Sequence, residues 1–247
     1  MSNPSGGRRG GGGQGGGRPA GDGAQTALLG TLTVLTLVSG LVDAVCYLGL
    51  GRVFTANMTG NIVVLGFAAA GAPGFSIPAS LTSLGAFLVG AVCAGRAATR
   101  ISARSRLLML AMATEALLVG VACTVAFLAS TVGSGPVRYT MIGVLGFAMG
   151  VRNSSVRRIG VPDMTTTVLT MTLTGLAAES FLAGGNNQRA GRRASSVAAM
   201  FIGAFAGAAL FLHVGTGLPL LIAAVAVAGA AVVFRLSRAP ALLDTAP

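Results

Sequence analysis

Residues Gly40–Asn61 read GLVDAVCYLGLGRVFTANMTGN: an apolar run with one acid, Asp43, then a polar break, then the start of another apolar run. The first run belongs to Ala27–Leu50, whose 24 residues suffice to cross a bilayer. The second, Asn61–Gly71, has 11 residues and falls short of the roughly 17 a span needs. Gly60 permits a bend between them, and Asn57, Thr59 and Asn61 can cap a helix that begins there. Such a start at membrane depth aims free N–H groups and a positive dipole end into the interior.

Outward from this break the chain is a series of apolar segments. Beyond the two above they are Ala79–Gly95, Leu107–Ala129, Pro136–Val151, Met164–Leu182, Ser196–Leu212 and Gly217–Phe234. Over the 247 residues, 53% are hydrophobic and only 9% are charged, too few to wet a globular surface. A soluble domain is thereby excluded, and so is bulk disorder. Residues 1–25 differ: 11 glycines, three arginines and no aliphatic run read as a disordered cytoplasmic tail. Residues 26–236 form the membrane domain and 237–247 a short C-terminal tail.

The net charge of +11 rests on 17 arginines and no lysine. If the second and sixth segments dip in and return, with the N-terminus cytoplasmic, fifteen arginines lie inside and only Arg52 and Arg138 outside. In that count Arg152, Arg157 and Arg158 belong to a cytoplasmic loop. Eight crossings would split the arginines nine to eight, and seven would split them thirteen to four. The positive-inside rule favours six. Nucleic-acid binding is not expected, since no basic stretch has interleaved aromatics and there is no Trp.

A weak internal repeat agrees with six crossings. MGVRNSSVRRIGVPDMTTT (Met149–Thr167) matches the opening stretch, Gly40 with Gly150, Asp43 with Asn153, Gly51 with Gly160, and Met58-Thr59 with Met164-Thr165. Gly85-Ala86-Phe87 also matches Gly203-Ala204-Phe205. The repeats are 27–130 and 136–236. Three crossings in each unit would invert the second relative to the first, as in many transporters.

The same residues, GLVDAVCYLGLGRVFTANMTGN and GVRNSSVRRIGVPDMTTTVLTMTLTG (Gly150–Gly175), resemble the YoaK-like family of bacterial membrane proteins. The resemblance covers about Ala27 to Phe234. It implies an integral membrane protein of the cell membrane and carries no activity residue by residue.

The site expected from the residues centres on the two breaks: Asp43, Asn57, Thr59 and Asn61 in the first half, Asn153, Asp163, Thr165 and Thr166 in the second. An acid within a span costs roughly 2.5–3.5 kcal/mol and is by default a functional hypothesis. Asp43 reads either as a proton or cation site, with an arginine of the other repeat as a further partner, or as an acceptor for the broken backbone. Glu115 is expected to snorkel toward Arg104 and Arg106, and Glu179 to pair with Arg189 and Arg192. Thr166, Thr170 and Thr174 form a polar stripe, and Gly85, Gly90, Gly203 and Gly207 mark helix packing.

His213 stands alone and the cysteines show no CxxC spacing, so neither a metal site nor a disulfide is expected. No catalytic motif appears, and no cofactor is called for. The sequence thus predicts an all-α polytopic membrane protein with six transmembrane helices and two re-entrant half-helices in an inverted 3+3 arrangement. It would move a small solute, a proton or a cation. The alternative is a structural or partner-binding membrane protein, and Gly-rich faces leave room for a homo-oligomer.

Overall fold

In the computed structural model the described residues are 20–129, 132–133, 135–160, 169–187, 189–237 and 239–245. Among them every regular element is a helix: α1 (Ala20–Gly49), α2 (Met58–Ala69), α3 (Ile77–Arg100), α4 (Arg104–Leu128), α5 (Gly135–Ile159), α6 (Leu169–Ala178), α7 (Ala190–Val214), α8 (Gly217–Leu236) and α9 (Ala239–Thr245), with a 3-10 turn at Phe181–Ala183. Five of them, α1, α3, α4, α7 and α8, are long and apolar enough to cross a membrane. At 25 residues α5 has the length but carries Arg138, Arg152, Arg157 and Arg158.

The packing is crossed between the halves. The first helix, α1, lies along α7, and α5 lies along α3, while α4 and α8 meet each other and close against α5 and α1. The short helices sit outside this core, α2 on α3 and α6 on α7. Helix α1 is the heart of the bundle, with 67% of its span buried against 17% for α7. Its hydroxyls need no outside partner, because Thr31, Thr33, Thr36 and Ser39 each bond back to the carbonyl four residues earlier at 2.9 Å. Large apolar side chains such as Val63, Phe67, Leu88, Phe201, Phe205 and Val225 point outward, the pattern of a surface solvated by lipid.

Small residues permit the two crossings. A Cβ on Gly40 would fall on the Met200 carbonyl oxygen, and one on Gly203 on that of Leu37. At the other crossing Gly150 meets the Phe87 carbonyl and Gly90 that of Phe147. The two contacts are built alike, with Gly40 and Gly150 in equal places and Gly203 facing the same way as Gly90. This corrects the match of Gly85 with Gly203. Space around Gly85 is open, so it is not a packing position. Gly203→Val should therefore cost on the order of 2 kcal/mol or more through overpacking, seen as a lower melting temperature and loss of monodisperse protein in detergent. Gly85→Val should leave both unchanged.

Both chain ends differ from the expected tails. Helix α1 starts at Ala20, within the stretch read as disordered, because Ala24 and Leu28 already pack into the core. At the C-terminus α9 docks on α1, α4 and α8, burying Ala239 and Leu243. Asp244 accepts from the Ser105 amide (3.0 Å) and hydroxyl (2.6 Å), capping the start of α4. These bonds, the hydroxyl's foremost, hold its carboxyl below the ordinary carboxylate range. A depressed value contributes stability above the unfolded pKa that is lost as pH falls through the folded one. The docking of α9 should loosen in acid, read as faster proteolysis of the C-terminus, and Ser105→Ala should remove most of that pH dependence.

Candidate functional site

Helix α1 ends at Gly49, and the left-handed Gly51 (φ 97°) turns the chain into the irregular stretch before α2. The free amides of this stretch meet Asp43. Its Oδ1 accepts from the Thr55 amide (2.7 Å), the Thr55 hydroxyl (3.1 Å) and the Ala56 amide (2.8 Å), and its Oδ2 from the Asn57 amide (3.2 Å). A carboxylate one turn or so above the helix end thus replaces the water that a broken backbone would need. Asp43 is buried, its hydrogen bonds come from its own loop, and Arg152 of the other half acts on it only through space. Of its expected roles, holding the break is the one the geometry shows.

Asn57 is the N-cap of α2 and accepts from the Gly60 amide at 3.2 Å. Asn61 closes the loop as a paired acceptor and donor, taking the Phe54 amide at 2.8 Å and giving to the Phe54 carbonyl at 2.6 Å. Ser83 of α3 donates to the same carbonyl (2.5 Å) and accepts from Asn61 (3.1 Å), so the break is tied to the neighbouring helix. Thr59 is exposed and takes no part. In the second half Asn153, the residue matched with Asp43 in the sequence, is half-buried on α5. Asp163, Thr165 and Thr166 lie outside the described residues. Thr170 and Thr174 of the expected stripe are exposed on α6, and the buried threonine there is Thr172.

Beside Asp43 an open-sided cavity of about 300 Å³, nearer a groove than an enclosed chamber, lies between α1, the loop and α7. Tyr47 and Phe54 form one wall, stacked with centroids 4.9 Å apart, and Asp43 and Asn57 supply the polar groups. Ala204 and Ala208 of α7 face them. Phe54 cannot drift, since its backbone is bonded on both sides by Asn61 and its ring presses on Gly60, where a Cβ would collide with it.

A second polar cluster replaces two expectations. Glu115 does not snorkel to Arg104 and Arg106. It is fully buried and pairs with Arg152 at 2.8 Å. Nor is Arg152 a loop residue: it is wholly buried in α5, where Nη1 also donates to the Leu35 carbonyl (3.1 Å) and Nη2 to the Ser39 hydroxyl (2.7 Å). One guanidinium therefore bonds groups on both α1 and α4. Burial is tolerated because the charge is matched and both Nη atoms are bonded, although Arg152 Nε and Glu115 Oε2 have no hydrogen-bond partner among the described residues. The signal available in the sequence is that Pro136–Val151 reaches the length of a span only by taking in Arg152, which puts this arginine in the helix and not in the loop. Glu179, for its part, forms its ion pair with Arg193 at 2.8 Å, with Arg189 acting on it through space, and Arg193 also donates to the Gly175 carbonyl at 2.6 Å, closing the end of α6.

Long apolar helices, lipid-facing side chains and buried polar clusters define a multi-pass helical membrane protein, whose surroundings are the bilayer. The chain belongs to the family described as protein of unknown function (DUF1275), whose model matches residues 31–233. It is 36% identical over 151 residues to the UPF0700 transmembrane protein YoaK of Bacillus subtilis (strain 168), a match covering 59% of this chain and 64% of that relative. No solved structure matches it.

Proposed function

We propose that this protein is a transporter or channel for a small solute or ion in the cell membrane, with its N-terminus cytoplasmic and no catalytic step of its own. The observation that carries the reading is the cavity at the broken segment, where Asp43 and Asn57 bring polar groups to an apolar bundle. Discontinuous helices at such depth are a recurrent way of building substrate sites between inverted repeats. Supporting the repeat are the two like-built glycine crossings and the left-handed glycines, Gly51 and Gly160, that follow α1 and α5. With α5 as a sixth crossing, α2 and α6 become half-helices entering from opposite faces.

A second reading, a structural or partner-binding membrane protein, is favoured by one fact: the hydrogen bonds of Asp43 all go to its own loop. Topology and flux separate the two. Reporters fused after Ala72 and after Asn187 should lie on opposite sides, outside and inside respectively, and proteoliposomes of the full chain should pass a proton, sodium or organic solute. A cytoplasmic Ala72 would end the inverted-repeat reading. Correct topology without any flux would leave the structural one.

A further inference from the structure

Resting on the transport reading, and deepening it, we propose that the cavity beside Asp43 binds a small organic cation, an amine or quaternary ammonium group. Charge is the first argument. Glu115 and Arg152 neutralise each other, so among the described residues Asp43 is the acid of the membrane interior that has no basic group bonded to it. Its donors are neutral and Arg152 acts on it only through space, so a cation entering the cavity would meet a carboxyl group with no bonded counter-ion in a medium of low dielectric. Oδ1 takes three donors but Oδ2 only one, which leaves acceptor capacity on the carboxylate.

The rest of the lining selects the kind of cation. A hard inorganic ion wants some six oxygen ligands. Here the side-chain oxygens are those of Asp43, Asn57 and Tyr47, and that of Asn57 is engaged with the Gly60 amide. The remaining walls are alkyl or aromatic, from Ala44, Ala204, Ala208 and the stacked Tyr47 and Phe54. Aromatic rings beside a carboxylate suit a weakly hydrated ammonium, which they attract through their negative faces. The volume of about 300 Å³ fits a compact ligand. Phe54 and Asp43 are already fixed by the loop, so the site is preformed.

The test is equilibrium binding of radiolabelled choline to the purified full chain in detergent, with 3,3-dimethylbutan-1-ol as the uncharged analogue. Saturable binding displaced by unlabelled choline but not by the alcohol is the expected result. Asp43→Asn keeps an acceptor for the loop and removes the charge, and should weaken binding at least about tenfold. Tyr47→Ala should weaken it about fivefold by loss of the ring. Ala208→Phe fills the cavity from α7 without touching the bonds of Asp43, and should abolish binding even if Asp43→Asn fails to fold. Val92→Phe, on the exposed face of α3, should change nothing.

No saturable binding, or equal binding in wild type and Ala208→Phe, overturns the site. Choline binding without flux upholds the site and removes the transport reading. Inorganic ion flux without choline binding does the reverse.

Discussion

Arg152→Met is expected to be the most damaging single change in the bundle, lowering stability by about 3–5 kcal/mol. Glu115 would be left fully buried without its counter-charge, and Ser39 and the Leu35 carbonyl would each lose a donor. The measurement is reversible unfolding or a thermal melt of the purified protein in detergent. Replacing both partners, Glu115→Leu with Arg152→Met, should recover most of the loss, because an apolar pair of similar volume carries no buried charge. Equal instability of the single and double variants would mean that the pair acts through packing and not through charge.

Asp43→Ala should be nearly as costly, at about 3 kcal/mol or more, since the amides of Thr55, Ala56 and Asn57 would lose their acceptor together. Hydrogen exchange gives the local reading. Those three amides should become fast-exchanging in Asp43→Ala while the interior of α4 stays protected. Asp43→Asn keeps the Oδ1 acceptor but puts an NH2 group where Oδ2 took the Asn57 amide, so Thr55 and Ala56 should stay protected while Asn57 exchanges faster, which separates most of the loop-holding role from the charge that a cationic ligand would need. If Asp43→Ala left the three amides protected, the carboxylate would not be what orders the break.

The long elements were legible in the sequence because apolar length is a property of the chain alone. All eight segments contain a helix; the 11-residue second one is the short α2, whereas the sixth, long enough to cross by its letters, holds only the ten residues of α6 among those described. The break at Arg52–Asn57 was legible for the same reason, as was the capping role of Asn57. What the sequence could not display was which polar group meets which. Arg152 sits beside Arg157 and Arg158 in the chain, yet burial separates it from them: they are exposed at the end of α5 and it is enclosed two turns earlier. Its partner Glu115 lies on a different helix, so only the helix packing could reveal the pair. The same holds for Ser83, an ordinary serine of α3 until Asn61 and Phe54 are brought against it. The glycine register failed for a related reason. Gly85-Ala86-Phe87 resembles Gly203-Ala204-Phe205 in letters, but close approach depends on which face of α3 meets α5, and that face carries Gly90.

The crossed arrangement of helices also dictates an order of assembly. During synthesis α1 enters the bilayer long before α7 exists, so its glycine face waits beside lipid until the later helix arrives. With α5 the timing is kinder. Taken as the sixth crossing proposed above, that helix carries a charge which opposes insertion, and Glu115 on the helix just before it is already in place when Arg152 emerges. The pair can thus form at the moment of membrane entry, with the nascent chain supplying its own counter-ion. A ribosome-stalled series of lengthening chains should find α5 inserted when Glu115 is present and left behind when it is leucine. On this view the buried ion pair is a folding instruction first, written one helix ahead of the segment that needs it.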